Sequence, residues 1–398
     1  MNGGASSVER LARVPGFVDL HVHFRDPGFP EKEDIFSGGR AAAAGGFTTV
    51  CMMPNTAPAI DSVETLLLVD GRGRDAASAR INVFAAAAMT AGQLGGRLVD
   101  FSRLDAAETR CRELTGHGVC GITEDGKSLL DDALMERVCA EAARLDLPIM
   151  DHAEDKSLVP AGASMNEGAV SRKLGLAGIP SEAEESIVRR DIALSKRTGA
   201  RFHIQHVSAA GSVALIRAAK REGAGITCET APHYFALTDF EAERQGAMAK
   251  MNPPLRTEAD RMAVVEGLCD GTIDCIATDH APHEAAVKEL PMEKAAFGII
   301  GLETCFAVSY TILVRGGYME MGDLARLMSK RPAEIIGLPA REEEDFVLLD
   351  LDAAYTIDRS TFVSRGRNTP FHGMNVYGRV AATVCGGRVC YTAPGWEK

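Results

Sequence analysis

Eight short apolar segments recur between residues 16 and 278, and stretches with helical patterning separate most of them. This alternation is typical of parallel βα units, in which each strand is followed by a helix that crosses back over the sheet. Eight such units favour a closed (β/α)8 barrel over an open, doubly wound sheet. We therefore predict an α/β protein with a TIM barrel, whose strands cover residues 16–23, 47–53, 80–88, 118–123, 147–150, 201–207, 225–230 and 272–278.

Apolar spacing and terminal residues mark the helices between these strands. Leu130, Leu134 and Val138 recur at four-residue intervals and give one helix an apolar face. A capping box in Ser181–Glu184 predicts the start of another helix, after a long polar connection over 153–180. Helices are predicted over residues 33–45, 61–70, 100–114, 128–145, 181–196, 260–268, 302–314 and 321–336, and Val213 and Ile216 mark one more.

The chain changes character after residue 340. The charged link Arg341–Asp345 precedes short strand-like pieces rich in Gly and Thr, such as residues 346–350 and 376–380. We therefore predict a barrel over residues 15–340 and a small β appendage over residues 341–398.

Charge and cysteine content exclude several classes of protein. The formal net charge is -12, so the basic surface of a nucleic-acid-binding protein is missing and no nucleic-acid partner is expected. The ten cysteines are scattered, without a Cys-x-x-Cys pair, which indicates reduced thiols. Residues 1–13 lack the apolar core of a signal peptide, and no apolar run could span a bilayer. We expect a cytoplasmic protein without a membrane partner.

Metal-ligating residue types stand at the carboxyl ends of several predicted strands, the rim that carries the active site in TIM barrels. His21 and His23 are two residues apart and share one strand face. Each residue by itself has an ordinary explanation, such as a hydrogen-bonded core histidine or a turn aspartate, but their convergence on one rim favours a metal site. Imidazole and carboxylate ligands suit zinc or another first-row divalent ion. The predicted ligands are His21, His23, Asp125, His152, His206 and Asp279.

Three other histidines are not assigned to this site. His117 precedes a strand, at the opposite end of the barrel, and is expected to be structural. His203 shares a strand with His206 but has the opposite parity, so we expect it to face the helical layer. His372 lies in the appendage, without a partner that the sequence identifies.

Seven stretches of the chain, from residue 15 onward, resemble the dihydroorotases of the amidohydrolase superfamily. The resemblance is to the bacterial type whose ligand on strand four is an aspartate. The blocks MNPPLR and DGTIDCIATDHAPH are highly specific, whereas His-x-His is shared by the whole superfamily. The matching stretches are PGFVDLHVHFR (15–25), GGFTTVCMMPNT (45–56), TEDG (123–126), DHAED (151–155), QHVS (205–208), KMNPPLR (250–256) and DGTIDCIATDHAPH (270–283).

The resemblance implies a zinc-dependent, reversible interconversion of N-carbamoyl-L-aspartate and L-dihydroorotate, a step of pyrimidine (UMP) biosynthesis. The six predicted ligands match the family's metal-ligand positions. Arg25, Asn55 and His283 match positions that hold the substrate carboxylate, and Asn252 matches one that contacts the pyrimidine ring. The resemblance also leads us to expect a homodimer and an association with aspartate carbamoyltransferase.

The implied chemistry agrees with the residue types. A metal ion lowers the pKa of bound water and supplies a hydroxide nucleophile at neutral pH. Asp279 would take the proton and return it to the leaving nitrogen as general acid and base. Arg25 follows His23 on the same predicted face and would hold an anionic substrate, unless it is an exposed loop arginine. Asp125 replaces the carboxylated lysine of many relatives and Lys127 lies beyond the turn, so one or two zinc ions are expected.

Several alternatives stay open at this point. The chain could be another cyclic amidase, acting on hydantoins, dihydropyrimidines or allantoin, or a non-catalytic homologue that scaffolds aspartate carbamoyltransferase. Residues 284–297 could form a lid or an ordered loop. The family's longer N-terminal lead-in suggests that residues 1–14 are a truncated part of the β appendage, or that this appendage is incomplete.

Overall fold

The fold is built around a parallel sheet that curls into a barrel. A computed structural model of the chain describes residues 11–74, 80–105 and 118–396. The strands are β1 (Ala12–Pro15), β2 (Phe17–Val22), β3 (Phe47–Met52), β4 (Asn82–Ala88), β5 (Val119–Thr123), β6 (Ile149–Asp151), β7 (Met165–Asn166), β8 (Gly178–Ile179), β9 (Phe202–Ile204), β10 (Ile226–Thr230), β11 (Cys275–Ile276), β12 (Phe346–Thr356), β13 (Asn375–Cys385) and β14 (Arg388–Thr392).

Eight of these strands form the barrel in the order β2-β3-β4-β5-β6-β9-β10-β11, and their pairings are parallel. The two edges approach each other where Val22 bridges to His280 and the backbone N–H of His23 donates to the His280 carbonyl at 2.9 Å. The predicted TIM barrel is confirmed. Strands covered on both faces need continuous apolar runs, which is why the sequence shows them so clearly.

Helices cover the outside of the barrel. Asp34 caps the first of them, accepting from the backbone N–H of Ser37 at 2.7 Å, and Gly45 ends it. The α-helices span Ile35–Ala44, Val63–Arg74, Asp132–Leu145, Ala169–Leu174, Glu182–Thr198, Ala210–Arg221, Pro232–Ala236, Phe240–Gln245, Glu258–Cys269, Ala285–Lys288, Cys305–Ser309, Met321–Met328 and Lys330–Ile335. None of the helices in the described part of the chain is long and apolar enough to cross a membrane.

Some helix predictions were wrong in detail. The capping box at Ser181 does not form, because the Glu184 carboxylate instead accepts from the backbone N–H groups of Ser208 and Ala209 at 3.1 Å. The predicted helix over 321–336 is interrupted at Ser329, which has non-helical backbone angles. The helix predicted over 100–114 is visible to residue 105, and the rest of it lies outside the described residues, as does His117.

All eight predicted barrel strands exist, but several are shorter at their carboxyl ends. The strand predicted over 201–207 ends at Ile204, and the strand predicted over 272–278 covers Cys275–Ile276 alone. His206 and Asp279 both have positive φ, 34° and 48°, so the backbone turns away from the sheet before each of them. Non-glycine residues in this region are uncommon and are concentrated at functional sites.

The barrel interior is apolar towards the amino ends of its strands. A cluster of apolar side chains fills it: Val18, Leu20, Cys51, Met53, Phe84, Ala86, Cys120, Met150, Cys275 and Ile335. This packing makes the interior a solid core, and the polar residues lie above it, at the carboxyl ends.

An antiparallel sheet in the order β1-β12-β13-β14 lies beside the barrel. β1 pairs with β12 in the register Ala12 to Leu349, so residues before the barrel take part in the appendage. The Thr383 hydroxyl donates to the Ala43 carbonyl at 2.7 Å and fixes this sheet to the first barrel helix. The division at residue 340 stays a prediction, as does the assignment of residues 1–14, of which residues 1–10 lie outside the description.

Candidate metal centre

The two histidines of the first barrel strand present their Nε2 atoms to a pair of carboxylates. His21 Nδ1 donates to Glu229 at 3.1 Å, and His23 Nδ1 donates to Asn55 Oδ1 at 2.9 Å. His21 Nε2 then lies 3.2 Å from Asp125 Oδ1 and 3.5 Å from Asp279 Oδ1. His23 Nε2 lies 3.1 Å from Asp279 Oδ1 and 3.6 Å from Asp125 Oδ2. Each ring therefore has its Nδ1 held by a protein acceptor and its Nε2 directed at the carboxylates of Asp125 and Asp279.

The other two predicted histidine ligands meet on the opposite side of Asp125. His152 Nδ1 and His206 Nε2 are 2.9 Å apart, and His152 Nδ1 is 3.9 Å from Asp125 Oδ1. Two facing imidazole nitrogens at this distance can share one proton or one metal ion. All six ligands proposed from the sequence therefore lie in one cluster, although they are spread from residue 21 to residue 279.

The donor atoms fit a divalent metal ion. His21, Asp125 and His206 form one set whose ligand atoms lie within 4.8 Å of one another, and His21, His23 and Asp279 form a second. His21 Nε2 is buried and has no hydrogen-bond partner among the described residues. A buried imidazole nitrogen without a hydrogen-bond partner, next to two carboxylates, fits a cation that binds nitrogen and oxygen ligands.

Electrostatics favour a positive charge at the same place. Burial opposes ionisation of Asp125, but His21 and His23 outweigh it and hold the pKa of that carboxyl well below its usual range. Burial likewise opposes protonation of His21, and Asp125 and Asp279 reverse this and raise its pKa. Burial and the nearby His152 lower the pKa of His206 to about 3. Ionised carboxylates beside an unprotonated imidazole provide what a metal ion needs, since ligands must be deprotonated.

A cavity of about 400 Å³ opens above this cluster. Arg25, Asn55 and Asn252, all proposed from the sequence to bind substrate, contribute to its lining. Arg25 lies beyond the end of β2 with a φ of 59°, so it is in a left-handed turn rather than on the predicted strand face. Its Nη1 is 3.5 Å from Asn55 Oδ1, and its buried Nε has no hydrogen-bond partner in the described ranges.

The other proposed substrate-binding residues, Asn55, Asn252 and His283, differ in their present hydrogen-bond partners. Asn55 Nδ2 donates to Asp125 Oδ2 at 2.9 Å, so this side chain organises the carboxylate as well as lining the cavity. Asn252 Nδ2 is 3.3 Å from His152 Nε2. His283 is not among the lining residues, because its Nε2 bonds to the Phe297 carbonyl at 2.7 Å.

Comparison with known proteins is consistent with this architecture. Residues 11–212 match the family model described as Dihydro-orotase-like. A dihydroorotase of Desulforapulum autotrophicum is 46% identical over 388 residues, which are 96% of this chain and 88% of that protein. A dihydroorotase of Brevibacillus brevis is 43% identical and covers 94% of this chain and 87% of its own length. The chain belongs to the dihydroorotase family.

The solved structures agree on the fold of this family member. An L-hydantoinase (dihydropyrimidinase) from Arthrobacter aurescens superposes with a TM-score of 0.83 at 25% identity, covering 98% of this chain and 88% of the hydantoinase. Family membership and fold together identify the chain as a hydrolase of cyclic amides.

Several residues of this dihydroorotase-family site were missed by sequence reasoning. Glu154 lines the cavity, and its Oε2 lies 3.5 Å from His152 Nε2 and 3.4 Å from Lys156 Nζ. Its signal was present, since it stands two residues after His152 in the stretch DHAED. Phe297 and Gly298 also line the cavity. They come from a segment without periodicity, so no local pattern could have assigned them.

Two buried lysines bond to the backbone in and around the segment over 284–297, which contains the short helix Ala285–Lys288. Lys288 Nζ donates to the carbonyls of Lys250, Ala296 and Gly298 at 2.9 to 3.0 Å. Lys250 Nζ donates to the Met292 carbonyl at 2.6 Å and to that of Ala295 at 2.7 Å. These bonds fix the backbone that reaches the cavity at Gly298.

One further expectation is corrected by the structure. His203 does not face the helical layer but points into the barrel interior, where its Nε2 bonds to Glu229 at 3.1 Å, close to Cys275. The prediction assumed that side chains alternate regularly from His206 back to His203. β9 ends at Ile204 and His206 has a positive φ, so the alternation does not extend to His206.

Proposed function

We propose that the chain is a zinc-dependent dihydroorotase that interconverts N-carbamoyl-L-aspartate and L-dihydroorotate in pyrimidine biosynthesis. The observation that carries this proposal is the position of Arg25 in the lining of the cavity above the ligand cluster. Arg25 has no carboxylate within ion-pair distance among the described residues, although the protein is acidic overall. A guanidinium in this position suits a carboxylate of the substrate, with which it can form two parallel hydrogen bonds.

The residues that would hold zinc are the six described above, with Asp125 between the two histidine pairs. Two sets of donor atoms are present, but both use His21, whose Nε2 can bind a single ion, so the proposal keeps one or two zinc ions per subunit. When bound, zinc supplies a water of lowered pKa and polarises the carbonyl of the amide. Metal analysis of the purified protein distinguishes one ion from two.

Asp279 is the proposed general acid and base. Its Oδ1 faces the Nε2 atoms of His21 and His23, and the residue lines the cavity. These histidines keep its pKa below the usual range, against the effect of burial, so it is ionised and can accept a proton. In ring opening Asp279 would take the proton of the attacking water and deliver it to the ring nitrogen as the carbon–nitrogen bond breaks.

Arg25 and Asn252 would bind the rest of the substrate. Arg25 would hold the carboxylate, and Asn252 would contact the ring from the other side of the ligand cluster, next to His152. Asn55 would orient both Asp125 and the guanidinium. His283 is proposed to bind the carboxylate as well, which requires it to exchange its bond with the Phe297 carbonyl for one with substrate.

A comparison of substrates tests the proposal. The zinc-loaded protein should hydrolyse L-dihydroorotate and form it from N-carbamoyl-L-aspartate, with hydantoin and dihydrouracil as controls that lack the carboxylate. Turnover of hydantoin without turnover of dihydroorotate would instead assign the chain to the hydantoinases, whose fold it shares. No turnover of any cyclic amide would favour a scaffolding homologue, although the presence of all six ligand types argues against that role.

The proposal extends to location and assembly. Nine described cysteines are unpaired, which supports a reducing compartment such as the cytoplasm. We further propose a homodimer that associates with aspartate carbamoyltransferase. Light scattering of the purified protein, alone and mixed with that enzyme from the same source, measures both assemblies.

A further inference from the structure

A buried hydrogen-bonded chain lies directly beneath the ligand cluster. His203 on β9 and Glu229 on β10 are both completely buried. One oxygen of Glu229 accepts from His21 Nδ1 at 3.1 Å, and the other bonds to His203 Nε2 at 3.1 Å. The second nitrogen of His203 is 2.9 Å from the hydroxyl of Thr227. The chain therefore runs from Thr227 through His203 and Glu229 to His21.

We propose that Glu229, held in place by His203, is a positioning residue that orients His21 for metal binding. A neutral imidazole carries its proton on either nitrogen, and only the bare nitrogen can bind a metal ion. Donation from Nδ1 to Glu229 selects the tautomer in which Nε2 is bare. It also fixes the ring so that Nε2 faces Asp125 and Asp279. A carboxylate partner makes the imidazole a stronger ligand as well.

Packing needs do not explain a carboxylate at this position. The neighbouring barrel interior is filled by apolar side chains such as Leu20, Cys51 and Cys275. A well-packed apolar residue in place of a buried ionic group is often neutral or stabilising, so a purely structural role would favour Leu or Met at position 229. Within the described residues, Glu229 has no Lys or Arg partner, and its two ion-pair partners, His21 and His203, are imidazoles. Its geometry is thus fixed by His203 on one side and His21 on the other.

This inference rests on the proposed metal site but does not depend on which cyclic amide is the substrate. Its test is therefore metal affinity, measured on apoprotein by competition with a chromogenic chelator for zinc. The variants are Glu229→Leu, which removes the acceptor, and Glu229→Gln, whose amide oxygen can still accept from His21. Asp239→Asn is the matched control, because Asp239 is a buried carboxylate that bonds to Asn166 and touches no proposed ligand.

We expect Glu229→Leu to weaken zinc binding by roughly 10- to 100-fold, the usual effect of removing such a partner. The zinc affinity of Glu229→Gln should lie between those of Glu229→Leu and the parent, and Asp239→Asn should bind zinc as tightly as the parent. Thermal unfolding of each apoprotein shows whether it is folded, and the rise in Tm on adding zinc should shrink in the Glu229 variants alone. If the leucine variant does not fold, the parent, Glu229→Gln and Asp239→Asn still form a complete comparison.

Three results would overturn the positioning role. The first is unchanged zinc affinity in the folded Glu229 variants. The second is an equal loss of affinity in Asp239→Asn, which would indicate a general effect of losing a buried carboxylate. The third is the loss of a whole equivalent of zinc at saturation, which would make Glu229 a ligand itself, as its proximity to His203 and Cys275 allows. Zinc binding without dihydroorotate turnover would refute the proposed function and leave this test intact.

Discussion

Replacing Arg25 with methionine tests the proposal that this side chain binds the carboxylate of an anionic substrate. The guanidinium lines the cavity, and its Nη1 reaches Asn55 Oδ1 at 3.5 Å, which is a weak contact. No carboxylate forms an ion pair with it in the part of the chain that the structure describes. Methionine keeps the length and apolar character of the side chain's stem, so the substitution removes mainly the charge and the hydrogen-bond donors.

The size of the effect follows from these contacts. A hydrogen bond to a charged group contributes about 1.5–3 kcal/mol. Two such bonds from Arg25 to a substrate carboxylate would therefore contribute about 3 kcal/mol or more, which is roughly a hundredfold in kcat/KM. Because the carboxylate does not change in the reaction, the loss should appear mainly as a higher KM. Stability should change little, since the substitution breaks no ion pair.

The assay is the initial rate of dihydroorotate hydrolysis over a range of substrate concentrations, with dihydrouracil as the matched neutral substrate. Arg25→Met should lower kcat/KM for dihydroorotate and leave that for dihydrouracil nearly unchanged. Arg25→Lys keeps the charge but not the planar guanidinium, so its kcat/KM for dihydroorotate should lie between those of Arg25→Met and the parent. Equal losses with both substrates, or no loss with either, would show that Arg25 does not bind the carboxylate.

Three further predictions concern other parts of the molecule. Asp279→Ala should lower kcat by at least a hundredfold, the contribution expected of a general acid–base group, and a variant with parental kcat would exclude this role. Asn368 donates to the carbonyls of Ala281 and Gly298 at 3.0 and 3.1 Å, and both residues line the cavity; Asn368→Asp should therefore raise KM roughly thirtyfold with unchanged zinc content, since it removes two hydrogen bonds of about 1 kcal/mol each. Burial raises the pKa of Glu303 from 4.5 to about 7, against the effect of the backbone N–H groups that it accepts. The stability that this group contributes is present below pH 4.5 and is lost as the pH rises through 7. The free energy of unfolding, measured with denaturant, should therefore decrease over this pH range in the parent and decrease less in Glu303→Gln. An equal decrease in both proteins would refute the raised pKa of Glu303.

The positions of the strands, and the convergence of the proposed ligands on one rim, were predictable because they depend on local pattern. A fully buried parallel strand needs an apolar run, and the polar residue that ends it faces the rim whatever the helices do. His21, Asp125 and His152 follow this rule directly. His206 and Asp279 reach the cluster because their backbones have positive φ, and the residue types at these positions do not predict that conformation.

Contacts made across long stretches of chain were not predictable in the same way. The parity argument placed His203 outside the barrel, and only the early end of β9 shows why it failed. Asn368 lies in the region assigned to the appendage, yet it bonds to two carbonyls at the cavity. Both cases depend on where the backbone leaves its regular path, and sequence periodicity carries no information on this.

Charge explains why the metal and the anion should depend on each other. Among the described residues, the cavity lining contains the carboxylates of Asp125, Asp279 and Glu154 but only two permanent cations, Arg25 and Lys156. Lys156 Nζ is 3.4 Å from Glu154 and is largely offset by it. Without metal the surroundings therefore oppose an anionic substrate, whereas each divalent ion adds two positive charges and reverses this. Under the proposed function, attraction would then come mainly from the metal site and Arg25 would orient the carboxylate, so its removal should cost about a hundredfold rather than abolish binding.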